Sequence, residues 1–197
     1  KPSFASIFVI IAATLYRYAV SLKQMMVVGN IIVALLLSLS VIIIGIFDLL
    51  PTISPDNQQQ LRLIFSILMD YAIFTFIINL LREIVKDIED VDGDINQGMN
   101  TLPIAIGISR TTKIASGLSC VALFLLLYYI NKYLLNLIIA TVYLLLFVAG
   151  PLFYLTIKIW TARSKNEFHT LSILLKWNLF FGILSVIIIS LNIKYNA

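Results

Sequence analysis

The sequence predicts an all-α, polytopic transmembrane bundle of six helices, and three observations carry that prediction. Of its 197 residues, 60% are hydrophobic and only 12% are charged, about half of what a soluble domain of this size carries. The mean hydropathy is +1.00. Six apolar runs occur, at 4–20, 27–50, 61–81, 114–130, 134–157 and 173–191. Each approaches the ~20 residues that cross ~30 Å of hydrocarbon. Backbone polar groups in lipid need internal partners, so such runs must be helices, and they show almost no polar face.

The first two runs are joined by the polar stretch Arg17–Gln24. "PTISPDNQQQ" (51–60) then makes a short outer turn, with Pro51 and Pro55 stopping the helices on either side. The third run leads into the longest non-membrane stretch, about residues 82–113. Asn131-Lys132 reads as a tight outer hairpin, and 158–172 as a second inner loop. No repeat or low-complexity segment divides the chain, so 1–197 reads as one domain. Lys1 is not an initiator methionine and no leader precedes the first run, so the chain reads as the later part of something longer.

Six crossings put alternate connections on opposite sides. One side receives Arg17, Lys23, Arg82, Lys86, Arg110, Lys113, Lys158, Arg163, Lys165 and Lys176; the other receives only Lys1, Arg62, Lys132 and Lys194. The positive-inside rule makes the first side cytoplasmic, and Trp160 and Trp177 fall at that same surface. The pI near 9.2 reflects these loops and not nucleic-acid binding. Cys120 stands alone in an apolar run, which excludes a disulfide framework or a cysteine metal site.

Six of the ten acidic residues crowd into "REIVKDIEDVDGD" (82–94). At 100° per residue Asn79, Glu83, Asp87, Asp90 and Asp94, spaced 4, 4, 3 and 4 apart, form one stripe on a continued third helix, while Glu89 and Asp92 point elsewhere. Like charges at this spacing repel, and Lys86 and Arg82 flank the stripe without covering it. One reading is a solvated helix end. The sharper reading is a divalent-cation site, because Mg²⁺ takes one or two carboxylates and completes its shell with water and substrate phosphate. An EF-hand fails: counted from Asp90, the sixth position is Ile95 and the twelfth Thr101, where Gly and Glu are required. After the stripe, Gly98 relaxes the chain, and Thr101 as N-cap with Pro103 in the first turn starts a new helix.

"KDIEDVDGDINQGMNTLPIAIG" (86–107) resembles the second aspartate-rich motif of the UbiA superfamily of intramembrane prenyltransferases. On that resemblance Asp90 and Asp94 match the metal-binding pair and Asp87 an accompanying acid. "YAVSLKQMMVVGN" (18–30) is similar to the family's inner loop after its fourth helix, which brings Tyr18 and Lys23 toward the diphosphate. The six runs then correspond to helices four to nine of a nine-helix fold. The family's first aspartate motif has no counterpart in the sequence. About three N-terminal helices are therefore expected to be missing, and this chain alone to be inactive. The spelling of the loop most resembles the branch that joins a geranylgeranyl chain to a glycerol-phosphate lipid precursor; an aromatic acceptor is the alternative.

The resemblance implies a Mg²⁺-dependent prenyl transfer at the cytoplasmic face of the cell membrane. Asp87, Asp90 and Asp94 would hold the metal, and Lys23, Tyr18 and Lys86 would approach the diphosphate. Asn79 and Glu83 would stand behind them, Asn79 equally well serving an interhelical hydrogen bond. The partners implied are a prenyl diphosphate, the acceptor and membrane lipid. Asp70, mid-membrane and 17 residues from Asp87, is expected to make a structural hydrogen bond, and His169 to be a solvated loop residue. A cation channel or transporter is the rival class, but its carboxylates would be spread along the bilayer depth or set in rings.

Overall fold

A computed structural model describes residues 2–22 and 25–196, and among these there are helices and turns and no strand. The elements are α1 (Pro2–Val20), α2 (Val28–Ile44), α3 (Gln58–Glu89), α4 (Val91–Asn96), α5 (Leu102–Ile106), α6 (Ile108–Tyr129), α7 (Ile138–Leu144), α8 (Gly150–Thr161) and α9 (Lys165–Asn196). Among the described residues, five helical stretches are long and apolar enough to cross a membrane: Val28–Thr52, Gln58–Glu89, Ile108–Leu134, Ile138–Thr161 and Lys165–Tyr195. The remaining run forms a shorter apolar helix, Ala5–Val20. Phe124, Leu146 and Ile183 are among many exposed large apolar side chains, as a lipid-facing surface requires.

The chain divides into two compact units, Lys1–Leu80 with Gly93–Thr101, and Leu81–Asp92 with Leu102–Ala197. In the first, α2 ends in a π-helical turn (Gly45–Leu49) and a short 3₁₀ turn (Leu50–Thr52), where Pro51 cannot continue a helical ladder. The rings of Phe8 and Phe47 lie 5.5 Å apart. Gly45 is required by proximity, because a Cβ there would lie 2.9 Å from the Phe65 ring. Asn57 holds the outer turn, accepting from the Ser54 N–H (2.8 Å) and donating to the Thr52 carbonyl (2.9 Å).

In the second unit α6 packs along α8, and α7 and α8 along α9. Lipid offers no hydrophobic drive for such packing, so small residues and interhelical hydrogen bonds supply it. The hydroxyls of Ser119 and Thr156 meet at 2.6 Å. The Asn192 Oδ1 accepts the Ala140 N–H (3.0 Å), the Asn178 Nδ2 donates to the Val148 carbonyl (2.8 Å), and the Tyr143 hydroxyl donates to the Phe181 carbonyl (3.1 Å). Another π turn, Leu145–Ala149, widens the chain before Pro151, whose ring would clash with the carbonyl of an uninterrupted α-turn.

Two connections differ from the sequence reading. Asn131 and Lys132 lie inside a π turn (Ile130–Leu134), and the hairpin bends at 135–137. Ile130 and Leu134 are buried, which ties the turn to the core, while the Lys132 ammonium lies 4.9 Å over the Tyr133 ring. The expected loop 158–172 shrinks to 162–164. A capping box explains why: the Glu167 carboxylate accepts from the Arg163 and Ser164 N–H groups, each at 2.9 Å, and the Glu167 N–H donates to the Ser164 hydroxyl.

Candidate active site at the acidic segment

α3 and α9 are each 32 residues long, about 48 Å, against ~30 Å of hydrocarbon. Their apolar runs stop at Leu81 and begin at Ile173. The polar ends, 82–89 and 165–172, therefore extend about 12 Å beyond the hydrocarbon. α3 carries Arg82, Glu83, Lys86, Asp87 and Glu89 on that extension, anchored by the buried Ile84, Val85 and Ile88.

The continuous stripe predicted through Asp94 is interrupted. α3 ends at Glu89, Asp90 forms a turn, and α4 restarts at Val91. The Asp90 N–H still donates to the Lys86 carbonyl (2.9 Å), so Asp87 and Asp90 remain one turn apart on one face. Clustered like charges, poor helix formers and Gly93 all weaken the helix here. Beyond it, the Gly98 N–H donates to the Ile95 carbonyl (3.1 Å) and the Met99 N–H to the Asp94 carbonyl (2.9 Å), with Gly98 at φ +66°. That is a Schellman stop, and it requires the left-handed residue that glycine supplies. Asp87 and Asp90 belong to the second unit, Asn79, Asp94 and Tyr18 to the first.

Among the flanking residues, Arg82 departs from expectation. Arg82 does cover one carboxylate: its Nη1 lies 3.0 Å from Glu83 Oε1, and both side chains are mostly buried. Asn79 is buried but bonds within its own helix, Nδ2 donating to the Thr75 carbonyl (2.8 Å). Tyr18 is half-buried near the end of α1, and Lys86 is exposed. Lys23 lies outside the described residues. Thr101 stands immediately before α5, with Pro103 in its first turn, yet its hydroxyl does not cap the helix. α5 lasts five residues before Gly107, at φ +88°, redirects the chain into α6.

Three residues gain a meaning beyond their sequence reading. Among the described residues the buried side-chain polar atoms without a partner are Arg82 Nε and Thr101 Oγ1, and both fall within 82–101. An unpaired buried donor costs about 1–3 kcal/mol, so each calls for an explanation. The third is His169, which sits on α9 and not in a loop. Its Nδ1 lies 2.7 Å from Glu89 Oε1. The Thr-Leu-Pro spelling pointed to Thr101; nothing local pointed to the pairing of His169.

Among the described residues no three His, Cys, Asp or Glu side chains form a ready-made metal centre. Asp87, Asp90 and Asp94 nevertheless supply the hard, anionic oxygens that Mg²⁺ takes, and that ion needs only one or two of them.

The chain is 30% identical over 184 residues to a digeranylgeranylglyceryl phosphate synthase of Thermococcus kodakarensis, covering 90% of this chain and 58% of that protein. It is 31% identical over 175 residues to one of Methanosphaera stadtmanae, covering 85% and 56%. A 41-residue stretch is 54% identical to one of Haloquadratum walsbyi, covering 21% of this chain and 14% of that protein. The chain thus spans somewhat over half the length of these first two curated relatives. No solved structure gives a significant match. The UbiA prenyltransferase family model matches residues 2–191, nearly the whole chain: this integral membrane helical protein belongs to the UbiA prenyltransferase family.

Proposed function

We propose that residues 1–197 are part of one prenyltransferase domain that moves a prenyl group, geranylgeranyl by preference, from its diphosphate to a glycerol-phosphate lipid precursor at the cytoplasmic face of the cell membrane. The observation that carries this reading is the family match over residues 2–191. Relatives named for digeranylgeranylglyceryl phosphate synthesis support the acceptor class.

Asp90 and Asp94, with Asp87 beside them, would hold Mg²⁺, which when bound neutralises the charge developing on the departing diphosphate. Lys23 and Lys86 would add point charges for the same oxygens, and Tyr18 would lie alongside. Thr101 Oγ1 and Arg82 Nε, both without a partner, are donors suited to phosphate or acceptor oxygens. Glu83 acts on this set through Arg82, which it orients at 3.0 Å. The excess of basic residues on the acidic segment's side, ten against four, supports its cytoplasmic placement.

The test is transfer by the full-length gene product in membranes. Radiolabelled geranylgeranyl diphosphate is offered with Mg²⁺ and either geranylgeranylglyceryl phosphate or an aromatic acid, beside Asp90→Asn. Labelled glycerophosphate lipid that disappears in the variant supports the proposal. Product on the aromatic acid alone moves the acceptor, and no product on either sinks the enzymatic reading.

A further inference from the structure

His169 and Glu89 are 80 residues apart in sequence, and their side chains meet at 2.7 Å. An ionised carboxylate only accepts, so the contact is a hydrogen bond when His169 Nδ1 carries a proton. Each partner stands on a fixed base. His169 follows the buried Phe168 and precedes the buried Leu171, two residues after the Glu167 cap that locks the start of α9. Glu89 follows the buried Ile88, and its own side chain is 14% exposed. It is the last residue of α3, directly before the Asp90 turn. Without this bond the last residue of α3 would be held only by the local ladder and by the buried Ile84, Val85 and Ile88 behind it, where like charges and poor helix formers weaken the helix.

We propose that His169 is a positioning residue which, through Glu89, fixes the α3 end that presents Asp87 and Asp90. The inference rests on the prenyltransferase reading for its consequence but not for its existence. A helix end free to fray would misplace both carboxylates, and errors near 1 Å in such sites cost about 10²-fold in rate.

The experiment compares the full-length protein with His169→Ala and His169→Gln in lipid nanodiscs. His169 is 60% exposed, and alanine favours helices, so the first variant folds; the second retains an N–H donor for Glu89. Hydrogen exchange without metal is read first. Amides at 87–92 are expected to exchange about tenfold faster in His169→Ala and near the wild-type rate in His169→Gln, in line with loss of a hydrogen bond to a charged group. Transfer is read second: kcat about tenfold lower in His169→Ala, with a higher Mg²⁺ concentration for half-maximal rate and KM for the prenyl diphosphate little changed, a size of effect typical of supporting contacts behind metal ligands. Unchanged exchange overturns the tether. Faster exchange with unchanged kcat and Mg²⁺ requirement overturns the positioning role. A wild-type protein without transfer sinks the functional reading instead, and exchange still decides whether the tether exists.

Discussion

Two regions of this protein treat their buried polar groups in opposite ways. In the α6–α9 bundle, Ser119, Asn178 and Asn192 are almost wholly buried, and each has a partner within 3.0 Å. In the segment 82–101, Arg82 Nε and Thr101 Oγ1 are buried with none, and the carboxylates of Asp87, Asp90 and Asp94 are only half-covered. Among the described residues the bundle's buried side-chain polar atoms all have partners. Arg82 Nε and Thr101 Oγ1 thus each retain bonding capacity that the protein itself does not use, as a donor kept for a ligand's oxygen would.

Three substitutions can break or sharpen that contrast. The largest effect is expected at Asp90→Asn, which removes charge but little volume. Transfer by the full-length protein should fall by on the order of 10²-fold or more, while thermal stability in nanodiscs stays level; an equal loss of stability would make Asp90 structural. A middle-sized effect of the other kind is expected from Asn192→Leu. It strands the Ala140 N–H in hydrocarbon and should cost about 1–2 kcal/mol in steric-trap or detergent unfolding, with kcat per folded molecule unchanged. The smallest is expected from Thr101→Val. Removing a hydroxyl without a partner should leave stability level or raise it by up to about 1 kcal/mol, yet lower transfer several-fold. If Thr101→Val destabilises as Asn192→Leu does, the two regions are alike and the contrast fails.

The helices were legible because hydrocarbon imposes one solution on apolar runs of about 20 residues. Their overhanging ends were not. The run ending at Leu81 is cut by Arg82 and Glu83, although Val85 and Ile88 carry the helix on against the second unit's core. The Ser164-x-x-Glu167 box was present in the sequence, but hydropathy assigned that stretch to a loop and so hid the helix position of His169. The aspartate spacing and Gly98 were readable as local chemistry. The break at Asp90 was obscured by extrapolating a regular period across residues that disfavour it. Pairings such as Glu89 with His169, and the unpaired state of Thr101, are tertiary facts with no local signature.

Asn178 and Asn192 lie 14 residues apart on α9, about 21 Å along its axis, and they grip backbone at two separate places, Val148 and Ala140. A rod pinned at two heights can neither slide nor spin. Apolar contacts in lipid scarcely distinguish one register from the next, whereas a slip of one turn would strand both amides at once. α9 is therefore a post of set height, and its upper end carries His169 at a constant level above the hydrocarbon.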